Sequence, residues 1–213
     1  MVTLKVRNSL AEYHKSGDTS FANYRMNKFQ PLHSIVKKAE IVLASTPFLV
    51  NMYCCLYKHQ VRLEIERSHI DSSMRVLFVG GGPVPQSAIR IAKETGAMVD
   101  VIDNWSEGIT LARKTIERLG LQAKINILPG DGLSFPIKSY KIIYIATHVM
   151  PFNEILIRMI NDAEKGTCII FRKPAPVLTY LYSHADKNAV SYEAKEIVCS
   201  RLQLFRSYKI KTK

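Results

Sequence analysis

The pattern of apolar and polar positions changes near Ser72. Before this point the apolar residues recur at helical spacing, and no segment has a convincing strand pattern. A helix is predicted to begin near Pro47 and to end around Arg67, and its charged second half is typical of a helix that leaves a core for solvent. We therefore predict a helical N-terminal region over residues 1–72 and a second domain over residues 73–213.

Beyond residue 72, short apolar runs alternate with amphipathic segments. The pattern predicts strands over residues 75–79, 98–102, 124–128, 141–145 and 167–171, with two more between residues 194 and 208. Helices are predicted over residues 84–95, 104–119 and 152–163. Such β-α alternation is typical of an α/β fold with a mostly parallel sheet, here of seven strands with one antiparallel edge strand, and helices on both faces.

The first predicted strand runs into three glycines and two prolines, in the order LFVGGGPVP. Gly80, Gly81 and Gly82 allow the backbone to approach a ligand closely at the carboxyl end of the strand. The dinucleotide motif G-x-G-x-x-G is absent, because Pro85 or Gln86 occupies the place of its third glycine. The turn therefore favours a ligand without a pyrophosphate, and a tight strand-to-helix turn without a ligand is the alternative.

Acidic residues follow the next two predicted strands. Asp103 ends the segment VDVID, where it is placed to accept hydrogen bonds from ribose hydroxyls. Alternatively, Asp103 caps the helix that follows, from the position before Asn104. Asn104 also has the pattern of a helix cap. Asp131, in the turn Gly130-Asp131-Gly132, is placed to bind the exocyclic amine of an adenine or to form an ordinary turn. Their order after successive strands indicates one ligand site.

The composition is that of a globular protein, with 213 residues, of which 47% are hydrophobic and 23% charged. The net charge of +12 favours an anionic partner, such as nucleic acid, an acidic membrane surface or a negatively charged small molecule. The charge is spread along the chain, and many basic proteins simply have a solvated basic surface. A nucleic-acid partner therefore stays possible on charge alone.

Cysteine usage and hydropathy favour a cytoplasmic protein with no membrane partner. The four cysteines form no C-x-x-C pair, so we predict reduced thiols and no metal site. The N-terminus has no apolar core flanked by a cleavage site, so no secretory signal is predicted. The uncharged stretch over residues 41–57 is too short for a membrane span and predicts a buried helix.

From Met74 onward the chain resembles class I S-adenosylmethionine-dependent transferases, and more narrowly the nicotianamine synthase family. The resemblance is carried by FVGGGPVP, VIDN, LPGDG, IIYIATHV and FRKPAPVLTYLY, and by TPFLVNMYCCLYKHQVRLE before the first strand. It implies a Rossmann-like class I methyltransferase fold with a helical N-terminal extension, and S-adenosylmethionine as the donor substrate. The implied cofactor-binding residues are Gly80, Gly81, Gly82, Pro83, Asp103, Asn104, Asp131, Gly132, Ala146 and Arg172.

The family moves the aminobutyrate (3-amino-3-carboxypropyl) group of S-adenosylmethionine onto an amine nitrogen, which implies a small-molecule acceptor. The resemblance places four residues near the methionine tail or the acceptor, namely Tyr53, Tyr57, Arg172 and Tyr180. Arg172 suits a carboxylate, with a surface position at a strand end as its alternative. Tyr53, His148 and Glu40 are the candidate catalytic residues, and Glu12 is a weaker one.

Two other functions stay open. One is a methyltransferase acting on RNA, DNA, protein or a metabolite, although ATHVMPF follows the fourth strand where an amino-methylating nucleic-acid enzyme has Asn/Asp-Pro-Pro-aromatic. The other is a non-catalytic protein that binds S-adenosylmethionine. The sequence does not determine the acceptor or the oligomeric state.

Overall fold

Seven strands form one sheet in the computed structural model, which describes residues 41–42, 44–174, 195–199 and 205–212. The strands are β1 (Arg75–Val79), β2 (Met98–Asp103), β3 (Ile125–Pro129), β4 (Ile142–Ile145), β5 (Cys168–Pro174), β6 (Lys195–Cys199) and β7 (Phe205–Lys211). The helices are α1 (Pro47–Leu56), α2 (Lys58–Ser68), α3 (Gln86–Thr95), α4 (Ser106–Arg118) and α5 (Phe152–Asp162). The predicted β-α alternation is confirmed.

The strand order in the sheet is β3-β2-β1-β4-β5-β7-β6. Neighbouring strands are parallel except at β7, which runs antiparallel to both β5 and β6. The predicted mostly parallel class I methyltransferase fold is confirmed, with the antiparallel strand one position inside the end of the sheet. The chain winds outward from β1 to β3 and then crosses to β4, so the order reverses between β1 and β4. Ligands bind at such a switch point in open α/β sheets.

The alternation of side chains along β1 builds two cores, one on each face of the sheet. Val76 and Phe78 pack with the buried apolar residues of α2, α3 and α4 on one face. Leu77 and Val79 pack with those of α5 on the other face. Because every residue of β1 after Arg75 is buried, the central strand is apolar throughout, as expected for a parallel sheet covered on both faces.

The predicted helix from Pro47 to Arg67 is two helices in the structure. Tyr57 ends α1 and precedes α2, with φ −94° and ψ 0°. The prediction that the charged end of this segment enters solvent is wrong for Glu64, whose side chain is fully buried. Glu64 lies on the helix face of Gln60 and Val61, whereas Arg62 and Glu66 form an exposed ion pair on another face.

The uncharged stretch over residues 41–57 contributes α1, which has 10 residues. The prediction that this helix is buried holds for Val50 but is wrong for Phe48 and Met52, which are 73% and 48% exposed. Within the described ranges, every helix lacks the combination of length and apolar character needed to cross a bilayer. The division of the chain at residue 72 stays a prediction.

Candidate functional site

A cavity of about 560 Å³ opens at the carboxyl ends of β1, β2, β3 and β4, at the switch point of the sheet. Its volume lies within the usual range for small-molecule sites. Every predicted cofactor-binding residue lines it: Gly80, Gly81, Gly82, Pro83, Asp103, Asn104, Asp131, Gly132, Ala146 and Arg172. The structure therefore brings together residues that are spread over almost one hundred positions of the sequence.

The glycine turn after β1 needs its glycines for two different reasons. Gly80 has φ +82°, a conformation that side chains rarely adopt, and a Cβ there would collide with Val149. Gly81 lies against Val101 of β2, and a Cβ would collide with that side chain. The turn also continues the sheet, because the Gly80 N–H donates to the Ile102 carbonyl at 2.8 Å. These contacts hold the turn against the end of β2.

Asp103 joins the glycine turn to the segment after β2. Its Oδ2 accepts a hydrogen bond from the Gly82 N–H at 2.8 Å, and its Oδ1 accepts one from the Trp105 N–H at 2.9 Å. Each carboxylate oxygen has a second lone pair, so both are able to accept a further donor from a ligand. The predicted cap at Asn104 is wrong, since α4 begins at Ser106 without a side-chain cap and Asn104 is an exposed residue of the cavity wall.

The turn after β3 also lines the cavity. Asp131 is exposed, and its Oδ1 accepts a hydrogen bond from the Leu133 N–H at 2.9 Å. It therefore forms an ordinary Asp turn, the alternative that the sequence left open beside adenine binding. Gly132 is buried, and a Cβ on it would lie 3.0 Å from both Val79 and Ile155. The position therefore tolerates little beyond glycine.

Arg172 also lines the cavity, where it forms a buried ion pair with Glu64. Its Nε and Nη2 donate to the two oxygens of Glu64 at 2.9 and 2.7 Å, and its Nη1 donates to Ser87 at 3.0 Å. The Tyr57 ring lies 5.8 Å from the guanidinium carbon. Burial lowers the pKa of Arg172, but the charge and hydrogen bonds of Glu64, together with Tyr144 and Tyr57, raise it, so the pKa is raised overall. The alternative of a surface position is wrong, and Glu64 already compensates the positive charge.

Of the candidate catalytic residues, the structure places His148 in the cavity wall, on the exposed segment after β4. The Tyr53 position lies in α1, but its side chain is outside the described part of the chain, as are Glu40, Glu12 and Tyr180. Tyr57, which the resemblance also placed near the acceptor, lines the cavity.

Several residues of the cavity wall were not predicted from the sequence. Tyr144, Gln86 and Ser87 are buried polar residues beside Arg172, and Trp105 lies near Asp103. The hydroxyl of Tyr144 and Oε1 of Gln86 have no hydrogen-bond partner among the described residues. A tyrosine within the otherwise apolar strand IIYI was the available signal, because a buried phenol usually requires a partner. Gln86 gave no comparable signal, since polar residues are common in a first helical turn.

Comparison with known proteins identifies similar curated proteins and similar solved structures. Two curated proteins from strains of Pseudomonas aeruginosa, both named L-histidine 2-aminobutanoyltransferase, are 38% identical over 77 residues, which is 35% of this chain and 29% of theirs. The chain thus matches less than a third of the length of these relatives. Among solved structures, a point mutant of MtNAS has a TM-score of 0.73 at 20% identity, covering 92% of this chain and 79% of that one.

Other solved structures share the fold. MtNAS in complex with MTA and tNA has a TM-score of 0.67 at 17% identity, covering 92% of this chain and 82% of that one. An RNA methyltransferase from Salinibacter ruber, in complex with S-adenosyl-L-homocysteine, has a TM-score of 0.53 at 16% identity, covering 71% of this chain and 88% of that one. A family model described as nicotianamine synthase protein matches residues 31–204. The chain therefore belongs to the nicotianamine synthase protein family.

Proposed function

We propose that this protein transfers the aminobutyrate group of S-adenosylmethionine to an amine nitrogen of a small-molecule acceptor. The observation that carries the proposal is Asp103, which binds the Gly82 N–H at the switch point and keeps acceptor capacity for a ribose. Family membership supports the reaction class, and MtNAS has been crystallised with S-adenosylmethionine.

The cavity suits the parts of this donor. Asp103 accepts hydrogen bonds from the ribose hydroxyls, and Asp131 lies on the side where the adenine amine binds. The glycine turn lets the backbone approach the middle of the donor without a pyrophosphate-binding motif. The methionine tail then extends toward the end of the cavity that Tyr57 and Arg172 line.

The reaction is a nucleophilic displacement at a carbon bound to the sulfonium. The lone pair of the acceptor nitrogen forms the new N–C bond, and the C–S bond breaks with its electron pair going to sulfur. The products are the aminobutyrate-substituted amine and methylthioadenosine, and the amine releases one proton to a base. Because the sulfonium is a good leaving group, the protein acts mainly by orienting the two substrates and accepting that proton.

His148 is the base that we propose among the described residues, since it lies in the cavity wall. We expect His148→Gln to lower kcat by about 100-fold while leaving the Kd of S-adenosylmethionine unchanged. An unchanged kcat would exclude His148 and leave Tyr53 and Glu40 as the candidates.

The acceptor is proposed to be an amino acid. The curated Pseudomonas relatives are L-histidine 2-aminobutanoyltransferases, so L-histidine is the first acceptor to test. A cytoplasmic location is part of the same proposal and is supported by the free thiols Cys55 and Cys168.

One incubation separates aminobutyrate transfer from the other functions. The protein receives S-adenosylmethionine labelled separately in its methyl and aminobutyrate portions, together with L-histidine or a cell extract. Methylthioadenosine is the expected product, with the aminobutyrate label on the acceptor. S-adenosylhomocysteine would instead indicate a methyltransferase. Binding without either product would indicate a non-catalytic protein.

The placement of the donor is tested by calorimetry. We expect Asp103→Ala to raise the Kd of S-adenosylmethionine by about 100-fold, because the ribose hydroxyls and the Gly82 N–H lose their acceptor. The control is Asp162→Ala, which removes a half-exposed carboxylate that pairs with Arg158 outside the cavity wall. Equal affinities of the two variants would contradict the placement of the ribose.

A further inference from the structure

Arg158 of α5 is bound to the turn that follows β3. Its Nη1 donates to the Gly132 carbonyl at 2.6 Å, and its Nη2 donates to the Phe135 carbonyl at 2.7 Å. Its Nε lies 3.3 Å from Oδ2 of Asp162 in the same helix. Gly132 lines the cavity, whereas Arg158 lies outside the cavity wall. Arg158 therefore acts on the cavity through the backbone of the turn.

The turn is a single helical turn whose last carbonyls need donors. The Asp131 carbonyl accepts hydrogen bonds from the N–H groups of Ser134 at 3.0 Å and Phe135 at 2.8 Å. Because no helix continues from this turn, no backbone N–H among the described residues donates to the carbonyls of Gly132 and Phe135. Such carbonyls take donors from side chains or water. Arg158 supplies two donors, and its planar guanidinium reaches both carbonyls at once.

The same helix also packs against the turn. Ile155 lies three positions before Arg158 and so on the same side of α5. A Cβ on Gly132 would come within 3.0 Å of the Ile155 side chain, so the backbone of the turn lies directly on it. Gly132 is thus held by an apolar contact and by a hydrogen bond from one helix. The position of the turn therefore depends on α5 as well as on β3.

The turn in its place fixes the Asp131 carboxylate. Asp131 Oδ1 accepts a hydrogen bond from the Leu133 N–H at 2.9 Å. Leu133 lies in the sequence between the two residues whose carbonyls Arg158 binds. A displaced turn would move this N–H, and the carboxylate would lose the bond that orients it. The carboxylate still has lone pairs for a donor group of a ligand, so its orientation matters for binding.

We propose that Arg158 is a positioning residue for the adenine of the donor. It holds the turn over residues 130–135, and the turn keeps the Asp131 carboxylate directed at the exocyclic amine. The inference rests on the proposed function, because that function places the adenine beside Asp131. Arg158 therefore affects which base is bound, although it does not touch the ligand. Lysine is a poor replacement, since an ammonium group is a point charge without the fixed fork of a guanidinium.

Calorimetry with two nucleosides tests this assignment, at a temperature where each variant is folded. Methylthioadenosine carries the exocyclic amine, whereas methylthioinosine has an oxygen in its place and has no such donor for Asp131. We expect Arg158→Ala to raise the Kd of methylthioadenosine about 10-fold and to change that of methylthioinosine by less than about 2-fold. Arg158→Lys, which keeps the charge, should raise the Kd of methylthioadenosine by roughly 3-fold to 10-fold.

Two variants serve as matched controls. Arg113→Ala removes an arginine of α4 whose Nε and Nη2 donate to the carbonyl of Ile127 in β3, and neither residue lines the cavity. Asp162→Ala removes the ion pair of Arg158 and leaves its two bonds to the turn. Both controls should keep the Kd of methylthioadenosine within about 2-fold. A 10-fold rise in Arg113→Ala, roughly that expected for Arg158→Ala, would overturn the inference, because any lost backbone bond would then weaken binding.

A double variant shows whether Arg158 acts through Asp131. If it does, adding Arg158→Ala to Asp131→Ala should weaken methylthioadenosine binding by no more than about 2-fold further. Losses that multiply in the double variant would overturn the inference. Equal losses for the two nucleosides in Arg158→Ala would also overturn it, since Arg158 would then support the fold of the cavity without selecting the base.

Failure of the proposed function has a different signature. A wild type that binds methylthioadenosine but transfers no aminobutyrate group would contradict that function. The Kd values of the two nucleosides would still support or overturn the role of Arg158, because they require no turnover. A wild type that binds neither nucleoside would overturn both, since the cavity would then hold no adenosine.

Discussion

Two polar clusters of this protein, each built around a buried carboxylate, differ in how completely their hydrogen bonds are made. The first, the Asp100 cluster, consists of Arg75, Asp100, Asn126 and Tyr140. The second, the Glu64 cluster, consists of Gln60, Glu64, Ser87, Arg172 and Ser207. Each is built around one carboxylate that is at most 1% exposed and is paired with an arginine. Their chemistry is thus similar, but their positions in the fold are not.

The Asp100 cluster is satisfied and lies outside the cavity wall. Asp100 accepts from Arg75, Tyr140 and Asn126, and no member of the cluster has a buried side-chain atom without a partner in the described ranges. The Glu64 cluster borders the cavity, and unpaired atoms occur at Gln60 and beside it at Gln86 and Tyr144. The Asp100 network therefore ties strands of the fold together, whereas the network beside the cavity leaves buried polar atoms without partners among the described residues.

The largest expected effect on stability comes from breaking the Glu64 cluster. Glu64→Ala leaves the Arg172 guanidinium buried without its counter-charge, so we expect a loss of about 3–5 kcal/mol in the free energy of unfolding. Urea denaturation measures it. The matched control is Glu66→Ala in the same helix, where the exposed pair with Arg62 predicts a change within about 0.5 kcal/mol. Similar losses in both variants would contradict the assigned burial of Glu64.

Asp100→Ala tests whether the other cluster serves the fold alone. The Tyr140 hydroxyl loses its acceptor inside the core and Arg75 loses its partner, so we expect a loss of about 2–3 kcal/mol. The half-exposed side chain of Arg75 keeps access to water, which makes the loss smaller than for Glu64→Ala. Calorimetry should give an unchanged Kd for S-adenosylmethionine. A weakened Kd at a temperature where the variant is folded would show that the Asp100 cluster also supports the cavity.

Ser207→Ala measures how much Ser207, a member of the Glu64 cluster, contributes to the free energy of unfolding. The hydroxyl donates to Glu64 at 2.5 Å and accepts from Gln60 at 2.8 Å, so we expect a loss of about 1–2 kcal/mol in the free energy of unfolding. Combining this change with Gln60→Leu should cost less than the sum of the two single changes, because the residues share one hydrogen bond. Additive losses would show that the two residues act independently.

The smallest effect is the response to alkaline pH. Burial raises the pKa of Tyr140 and of Tyr144, and the neighbouring carboxylates Asp100 and Glu64 raise it further. A raised folded-state pKa gives stability that is complete below the unfolded pKa of about 10 and is lost as the pH rises through the folded pKa. We therefore expect unfolding to become easier above about pH 10. Each Tyr→Phe variant should reduce this dependence, as measured by denaturation at pH 8 to 11.

The sequence predicted the fold and the part of the cavity that the turns after β1, β2 and β3 form. Regular alternation predicted the strands, and the glycine turn, Asp103 and the Gly130-Asp131-Gly132 turn line one cavity because parallel strands end on one edge of the sheet. These features are local, since each needs only a strand and the turn that follows it. The predicted cap at Asn104 failed because Asp103 takes the N–H of Trp105 and α4 begins later.

The part of the cavity around Arg172 depends on contacts between residues that are distant in the sequence. Glu64 looked like a solvent residue, because the pattern of a helix does not show that Arg172, 108 positions away, will neutralise it. Gln86 and Tyr144 likewise line a cavity that forms only in the folded chain.

The sequence by itself thus determined the order of the elements and the glycine turn, because backbone conformation and apolar periodicity are local properties. Only the tertiary structure decided which buried polar groups are paired. Arg172 is compensated by Glu64, Tyr140 is bonded to Asp100, and Tyr144 is left unpaired beside the cavity among the described residues. The physical reason is that the cost of a buried polar group depends on its neighbours in space, which the folded chain alone supplies.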